Sequence, residues 1–379
     1  MNFDMMISVP YIWDVLSRET RPILLYGTGN GADKILDVME RRHIPCSGVF
    51  ASDGFVRSRD FRGMQVKSYS AVREAFGDGI VILCAFGSPR DEVLDFLAEL
   101  DSRHDLYVPD VPLFCGDLEA ELFSPEYALS HREMIECAAE LMSDEYSREL
   151  YWEILAYRLS GRLKYLSRTE SFADSVRSCV PADVRRVIDG GAFNGDTARV
   201  FLDVFGDRLG EGSVVCIEPD PRTFRKLSAF AESESRCVAV NGALGDFDGV
   251  TEFMSSASRA STTGQQNKRA KSVEIPAVTV DSVVRRWDGV AGSDDADGAL
   301  DADGRLLIKL DVEGAERAAI LGAAETVAAV KPAFSASVYH RTEDIFAIPI
   351  MLHEMNEAYR FRLRRVRCVP AWEITLFAE

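Results

Sequence analysis

The sequence predicts an α/β fold made of two units with parallel sheets, the first smaller than the second, joined by a helical connector. Two observations carry the sheets. Twice along the chain, at Ile23 and at Val187, a short apolar run ends in a glycine turn and passes straight into a segment with helical spacing. Strands that alternate with helices in this way pair in parallel. A third observation separates the units. From about 117 to 180 glycine nearly vanishes, and apolar residues at helical spacing run from Met134 to Leu159. The expected boundaries are therefore 1–116, 117–180 and 181–379.

In the first unit, Ile23-Leu24-Leu25-Tyr26 reads as a strand that meets the turn Gly27-Thr28-Gly29-Asn30-Gly31-Ala32. A helix over Lys34 to Arg42 follows, with Ile35, Leu36, Val38 and Met39 on its apolar face. Strands are expected at Cys46 to Ala51, ending near Asp53, and at Ile80 to Ala85, with a helix from Asp91 to Leu100. Gly27-x-Gly29-x-x-Ala32 fits a permissive dinucleotide fingerprint. A ligand site at Gly27, Gly29 and Asp53 and a purely structural α/β domain both remain open.

In the second unit, Val187-Ile188-Asp189 runs into Gly190-Gly191-Ala192-Phe193-Asn194-Gly195 and a helix from Asp196 to Phe205. Dinucleotide sites need a bare glycine where the pyrophosphate approaches. Phe193 blocks that approach, and Asp189 would repel a diphosphate. An acid there suits a cofactor with positive charge, such as the ammonium and sulfonium of S-adenosylmethionine. Strand Val214 to Ile217 ends at Glu218-Pro219-Asp220-Pro221, which starts a helix to about Ala231. Glu218 follows Gly195 by 23 residues, close to the ~20 at which such folds place an acid on ribose hydroxyls. Strand Cys237 to Val240 leads to Gly242-Ala243-Leu244-Gly245-Asp246. Asp246 is placed either to meet an adenine amino group or to serve the turn.

After a β-rich interval, Leu306 to Asp311 reads as a strand whose end carries Lys309 and Asp311 on one face. A helix is expected from about Gly314 to Val330, with Glu313 and Glu316 at its start. Strand Phe334 to Tyr339 leaves His340 at its tip, and Phe361 to Val366 with Ile374 to Phe377 form a terminal strand pair. Charged groups at the carboxyl edge of such a sheet lie where ligands bind. The stretch Gly289 to Gly304, rich in aspartate, reads as a surface loop without catalytic content.

The chain has 379 residues, 47% hydrophobic and 27% charged, as soluble globular proteins have. Its formal net charge of −18 opposes binding to a phosphate backbone. Five arginines between Arg360 and Arg367 form a local basic run, read as a solvated edge strand. The eight cysteines are scattered, with no C-x-x-C pair, as buried free thiols in a reducing compartment would be. No segment reads as a signal peptide or approaches the ~18 apolar residues of a membrane helix. The expectation is a cytoplasmic protein without nucleic acid, membrane span or metal.

Taken in order, Asp189-Gly190-Gly191-Ala192-Phe193-Asn194-Gly195-Asp196-Thr197, Glu218-Pro219-Asp220-Pro221, Ala243-Leu244-Gly245-Asp246, Lys309-Leu310-Asp311-Val312-Glu313-Gly314-Ala315-Glu316 and Val338-Tyr339-His340 resemble the FkbM family of S-adenosylmethionine-dependent methyltransferases. The resemblance covers about Val187 to Phe377. It implies a class I methyltransferase (Rossmann-like) domain that often O-methylates sugars or secondary metabolites. The first unit is similar to the small Rossmann-like domains that precede sugar-modifying transferases, some of which bind nucleotide sugars.

On this reading Asp189, Gly191, Ala192, Gly195, Asp196, Thr197, Glu218 and Asp246 hold the cofactor. His340 or Asp311 is the base, and Lys309 orients the acceptor or pairs with Asp311. A non-catalytic nucleotide-sugar-binding or scaffold protein is the alternative. A nicotinamide-dependent oxidoreductase using the Gly27 turn is a third reading. Nucleic-acid methylation lacks an N/D-P-P-Y/F motif.

Overall fold

Fully apolar four- and five-residue runs become the central strands, because only a strand covered on both faces can bury every side chain of such a run. The computed structural model describes residues 1–54, 56, 60–114, 116–255, 271–290 and 305–379. Most of the expected acidic loop lies outside these residues. Contacts divide the chain into two compact units. The first holds 1–139, 145–169 and 365–373; the second holds 140–144, 170–364 and 374–379.

The first unit opens with helices α1 (Phe3–Ile7) and α2 (Ile12–Ser17). Strand β1 (Ile23–Tyr26), helix α3 (Asn30–Arg41) and strand β2 (Gly48–Ala51) follow. Next come β3 (Asp60–Phe61), β4 (Met64–Ser68), α4 (Tyr69–Phe76), β5 (Val81–Cys84), α5 (Asp91–Arg103) and β6 (Asp105–Tyr107). The sheet runs β3-β4-β2-β1-β5-β6, parallel except for β3 against β4. Where the sequence predicted one helix from Met134 to Leu159, there are two, α7 (Arg132–Leu141) and α8 (Glu145–Ser160), after the short α6 (Pro125–Ser130). The first unit thus keeps the predicted βαβ rhythm.

The second unit begins at α9 (Phe172–Cys179) and β7 (Val184–Gly190). Then come α10 (Asp196–Phe205), β8 (Val214–Glu218), α11 (Pro221–Ser233) and β9 (Cys237–Asn241). Strands β10 (Ala243–Leu244), β11 (Gly249–Ser255) and β12 (Lys271–Val278) form a separate small sheet, followed by α12 (Val280–Val290). The chain returns through β13 (Arg305–Leu310), α13 (Glu316–Leu321), α14 (Ala324–Val330), β14 (Ala333–Ser337), α15 (Asp344–Met355), β15 (Phe361–Arg365) and β16 (Ile374–Ala378). The predicted single helix from Gly314 to Val330 is broken between α13 and α14 by Gly322 and Ala323.

The main sheet of this unit runs β15-β16-β14-β13-β7-β8-β9. Strands β14, β13, β7, β8 and β9 are parallel, and β16 is antiparallel to β14. Strand order reverses at β7: the chain proceeds outward to β8 and β9, then returns to β13 on the other side. In open α/β sheets the crevice outside the carboxyl ends of the strands at this reversal is where ligands bind. Val187, Ala198, Phe201, Val214 and Leu307 are among the buried residues that pack α10 and the sheet into one core and fix that crevice.

The five arginines do not form a free basic face. Arg364 pairs with Asp144 at 2.9 Å and Glu170 at 3.2 Å, and Arg362 with Glu379 at 2.8 Å, all in the second unit. In the first unit Arg365 is buried and donates to the Leu166 carbonyl, while Arg367 pairs with Asp95 at 2.9 Å. Two of the five, Arg364 and Arg365, are thus buried rather than solvated as the sequence reading had it, because each has a partner that compensates its charge or its donors. Among the described residues no helix is long and apolar enough to cross a membrane.

Candidate active site

The turn after β7 is held by backbone geometry that its glycines make possible. Gly191 has φ +73°, and a Cβ there would meet the Asp311 carbonyl oxygen at 1.9 Å. Gly195 has φ +83°, and a Cβ would meet the Phe230 ring at 2.4 Å. Between them Phe193 also takes a positive φ of 47°, a conformation unusual for a side-chain-bearing residue. The Gly191 and Ala192 N–H groups both donate to the Ile217 carbonyl, at 2.9 and 3.0 Å. This ties the turn to the end of β8. Asp196 is exposed at the first position of α10, and Thr197 is half-buried beside it.

Glu218 closes the turn from the neighbouring strand. Its Oε2 accepts from the Phe193 N–H at 3.0 Å, and its Oε1 from the Asp220 N–H at 2.9 Å. Burial pushes its carboxyl up to about 7 against the pull of those two N–H groups. Asn194 adds a group that the sequence reading passed over. Its Oδ1 is buried and has no hydrogen-bond partner among the described residues. Its place inside the glycine turn was the available signal.

Lys309 and Asp189 are direct neighbours across β13 and β7 in register, so their side chains emerge on the same face. Their charged atoms lie 3.0 Å apart, and both residues are buried. The Lys309 ammonium also donates to the carbonyls of Gly190 at 3.2 Å and Gly191 at 3.0 Å. Burial pulls the ammonium down, but Asp189 and Asp311 outweigh it and hold its pKa above the ordinary lysine value. One expectation changes: Lys309 makes its ion pair with Asp189 and not with Asp311. Asp189 in turn is fully buried and spends its charge on Lys309.

Asp311 stands at the open end. Its Oδ1 accepts from Ser337 Oγ at 2.8 Å and from Tyr339 at 3.5 Å. Burial raises its pKa, yet Lys309, His340 and these hydroxyls together keep it below the ordinary value. His340 lies behind it, with Nδ1 2.8 Å from Glu316 Oε1. Its Nε2 is 3.6 Å from Asp311 Oδ1 and 3.6 Å from Glu313 Oε2. Burial pulls the imidazole down, but Glu316, Asp311 and Glu313 push it up to about 10. Glu316 Oε1 also accepts from the Val312 N–H at 2.9 Å. The sequence had placed Glu313 and Glu316 at the start of a helix; Ser337 and Tyr339 had no assigned role.

Thus Asp189, Gly191, Ala192, Gly195, Glu218, Lys309, Asp311 and His340 come together as one linked set at the reversal of strand order. Asp246 is exposed beyond β10. The acid engaged there is Asp248, which accepts from the Thr279 N–H at 3.0 Å and the Ser282 hydroxyl at 2.7 Å.

In the first unit, Gly27 has φ +109°, and a Cβ would meet the Phe86 ring at 2.7 Å. Gly29 precedes α3 with nothing within 4 Å of a Cβ, and Asp53 accepts from the Ser70 N–H at 3.2 Å near the start of α4.

Comparison with known proteins bears on the second unit and on the whole chain. Residues 189–363 match the family model described as the methyltransferase FkbM domain. Among solved structures, the chain is similar to a methyltransferase FkbM from Methylobacillus flagellatus KT, with a TM-score of 0.69 and 16% identity. That likeness covers 100% of this chain and 98% of the other, and at this identity it speaks for the fold. A second, fibrillarin from Aeropyrum pernix in complex with natively bound S-adenosyl-L-methionine, matches with a TM-score of 0.31 and 12% identity over 55% of this chain and 73% of that one. No curated protein sequence matches the chain.

Proposed function

We propose that this chain, whose residues 189–363 are a methyltransferase FkbM domain, transfers the methyl group of S-adenosylmethionine to an oxygen of a small acceptor. A sugar, a glycan precursor or a related metabolite is the acceptor class. The observation that carries the reading is the turn from Gly190 to Gly195, with a buried orphan acceptor, Asn194 Oδ1, inside it and the Glu218 carboxylate closing it. A buried acceptor without a partner costs on the order of 1–3 kcal/mol, so a donor from a ligand belongs there. The ammonium of the cofactor's methionine part is such a donor.

When bound, the cofactor supplies an electrophilic methyl group on a sulfonium. Each Glu218 oxygen has one backbone N–H and keeps a lone pair for a ribose hydroxyl. Gly191 keeps the crevice floor thin, since a side chain there would collide with the backbone of Asp311. Asp189 contributes through Lys309: the pair fixes the carbonyls of Gly190 and Gly191 and so the path of the turn. The acceptor oxygen must lie in line with the methyl carbon at about 3–3.5 Å. Of the two base candidates, Asp311 has a side chain 35% exposed and His340 only 2%. Asp311 is therefore the group an acceptor hydroxyl can reach, and His340 positions it. The cytoplasm remains the expected location.

Equilibrium dialysis of the full chain with isotope-labelled S-adenosylmethionine tests the cofactor. Glu218→Ala and Asn194→Ala should each weaken binding by about tenfold or more, equivalent to 1.4 kcal/mol. Absence of binding, or undiminished binding in both variants, overturns the assignment. Tight binding without S-adenosylhomocysteine formation, when pooled cell metabolites supply the acceptor, favours the non-catalytic alternative.

A further inference from the structure

The groups that reach Asp311 fall on the same carboxylate oxygen. Its Oδ1 accepts from Ser337 at 2.8 Å and Tyr339 at 3.5 Å, and His340 Nε2 stands 3.6 Å from it. Among the described residues these contacts leave Oδ2 for an acceptor hydroxyl. The arrangement is set from behind by Glu316, fully buried at the first position of α13. Glu316 Oε1 accepts from His340 Nδ1 at 2.8 Å and from the Val312 N–H at 2.9 Å. Val312 lies between Asp311 and Glu313, and His340 follows β14. One carboxylate oxygen therefore ties together the two loops that carry the candidate bases.

Two observations make His340 a cation. A fully buried carboxylate is costly unless a positive charge stands beside it. Glu316 Oε2 has no hydrogen-bond partner among the described residues, so the charge of this acid rests on what Oε1 meets, and that is the His340 ring. On the other edge of the ring, Nε2 lies 3.6 Å from both Asp311 Oδ1 and Glu313 Oε2. Removing its proton would turn a lone pair toward two carboxylates. Asp344 at the start of α15 is a further acid that interacts electrostatically with Glu316 and His340. The neighbouring cations are engaged elsewhere: Arg317 pairs with Asp344 at 3.2 Å and with Glu343, and Arg341 Nε donates to the Gly314 carbonyl at 2.8 Å. Burial pulls the imidazole down, but Glu316, Asp311 and Glu313 push it up to about 10.

We propose that Glu316 is a positioning residue: its carboxylate holds His340 as a permanent imidazolium, and that cation, with Ser337 and Tyr339, keeps Asp311 ionised with Oδ2 toward the acceptor. A base oriented by a second group, itself held by a third, is a recurrent catalytic arrangement. What Asp311 does rests on the methyl-transfer reading; the charge of His340 does not. Two consequences follow. With both ring nitrogens protonated, His340 has no lone pair for the acceptor's proton, so Asp311 takes it. The acceptor also meets a fixed pair of charges instead of a titrating histidine, so the rate should not change through neutral pH.

The test uses the full chain with nitrogen-15 in its histidine rings. Long-range proton–nitrogen correlation reads the protonation of all five histidines, and His340→Asn identifies the signal by its loss. His340 is expected to stay an imidazolium from about pH 6 to 9. Glu316→Gln keeps the shape and an acceptor oxygen but removes the charge, so His340 should then titrate at or below about pH 8. Initial rates of S-adenosylhomocysteine formation, with pooled cell metabolites as acceptor, should be level over that range in the wild type. Glu316→Gln should lower them about 10–100-fold and make them fall further as His340 loses its proton, with affinity for S-adenosylmethionine unchanged. Circular dichroism checks that the variants fold. A neutral His340 in the wild type at about pH 7.5 overturns the proposal and requires no variant. An imidazolium or a rate unaltered in Glu316→Gln overturns it too. If the wild type forms no S-adenosylhomocysteine, the methyl-transfer reading fails, and the histidine signal by itself decides the role of Glu316.

Discussion

Lys309→Met breaks the ion pair on which the crevice is built. The Lys309 and Asp189 charged atoms are 3.0 Å apart, and both residues are buried. At an effective dielectric constant of about 20, charges at that distance attract by roughly 5–6 kcal/mol. Removing the lysine forfeits this attraction and strands Asp189 in a site from which water is excluded. Loss of one partner of a buried pair costs about 3–5 kcal/mol. Methionine retains most of the stem's packing, so the loss reports charge more than volume.

The double variant Lys309→Met/Asp189→Asn leaves neither charge buried. Its cost should fall short of the sum of the two single changes by about 3 kcal/mol. Urea denaturation, with hydrogen exchange read on peptides covering β7 and β13, separates the second unit from the first. Additivity within about 0.5 kcal/mol, or a single-variant cost under about 1 kcal/mol, would refute the reasoning. The same result would return Asp189 to direct cofactor contact.

Three further outcomes follow from the site. Gly191→Ala should cost roughly 2–5 kcal/mol by combining a left-handed backbone penalty with overpacking, since its Cβ would lie 1.9 Å from a carbonyl oxygen; a wild-type urea midpoint would contradict this. Asp311→Asn should lower kcat about 10²–10⁴-fold in a labelled-methyl assay with an identified acceptor, and an unchanged kcat would remove Asp311 from the reaction.

The pH dependence of stability should carry the signature of Glu218. Its pKa is raised from 4.5 to about 7, so between these values the folded protein holds a proton that the unfolded chain has released. Stability is therefore lost as pH rises from about 4.5 through 7, by up to about 3 kcal/mol from this group. Urea denaturation at pH 5 and pH 8 should show that loss in the wild type relative to Glu218→Gln. Parallel profiles would show that burial does not control this carboxyl.

The order of elements and the crevice were legible because they depend on local patterns. Apolar runs ending at Asp189, Glu218 and Asp311 become strand ends whether read from the sequence or seen in the sheet. What was illegible is pairing between residues far apart in sequence. The sequence offered Lys309 either the acceptor or, two residues away, Asp311, because side chains alternate along a strand. The register of β13 with β7 instead sets it beside Asp189. Asn194 was passed over because its burial depends on the whole turn. Helical spacing gave one helix from Met134 to Leu159, but spacing alone does not reveal the break before Glu145.

By itself, the sequence determined that the second unit is built of strand–turn–helix elements with acids at successive strand ends. Backbone sterics and hydrophobic periodicity act over a few residues, so they can be read along the chain. Only the tertiary structure decided which acids are spent on partners inside the protein and which keep an exposed face. Charge compensation depends on distance through space: Asp189 is paired with Lys309, while His340 is brought within 3.6 Å of Asp311 and Glu313, which lie far from it in sequence.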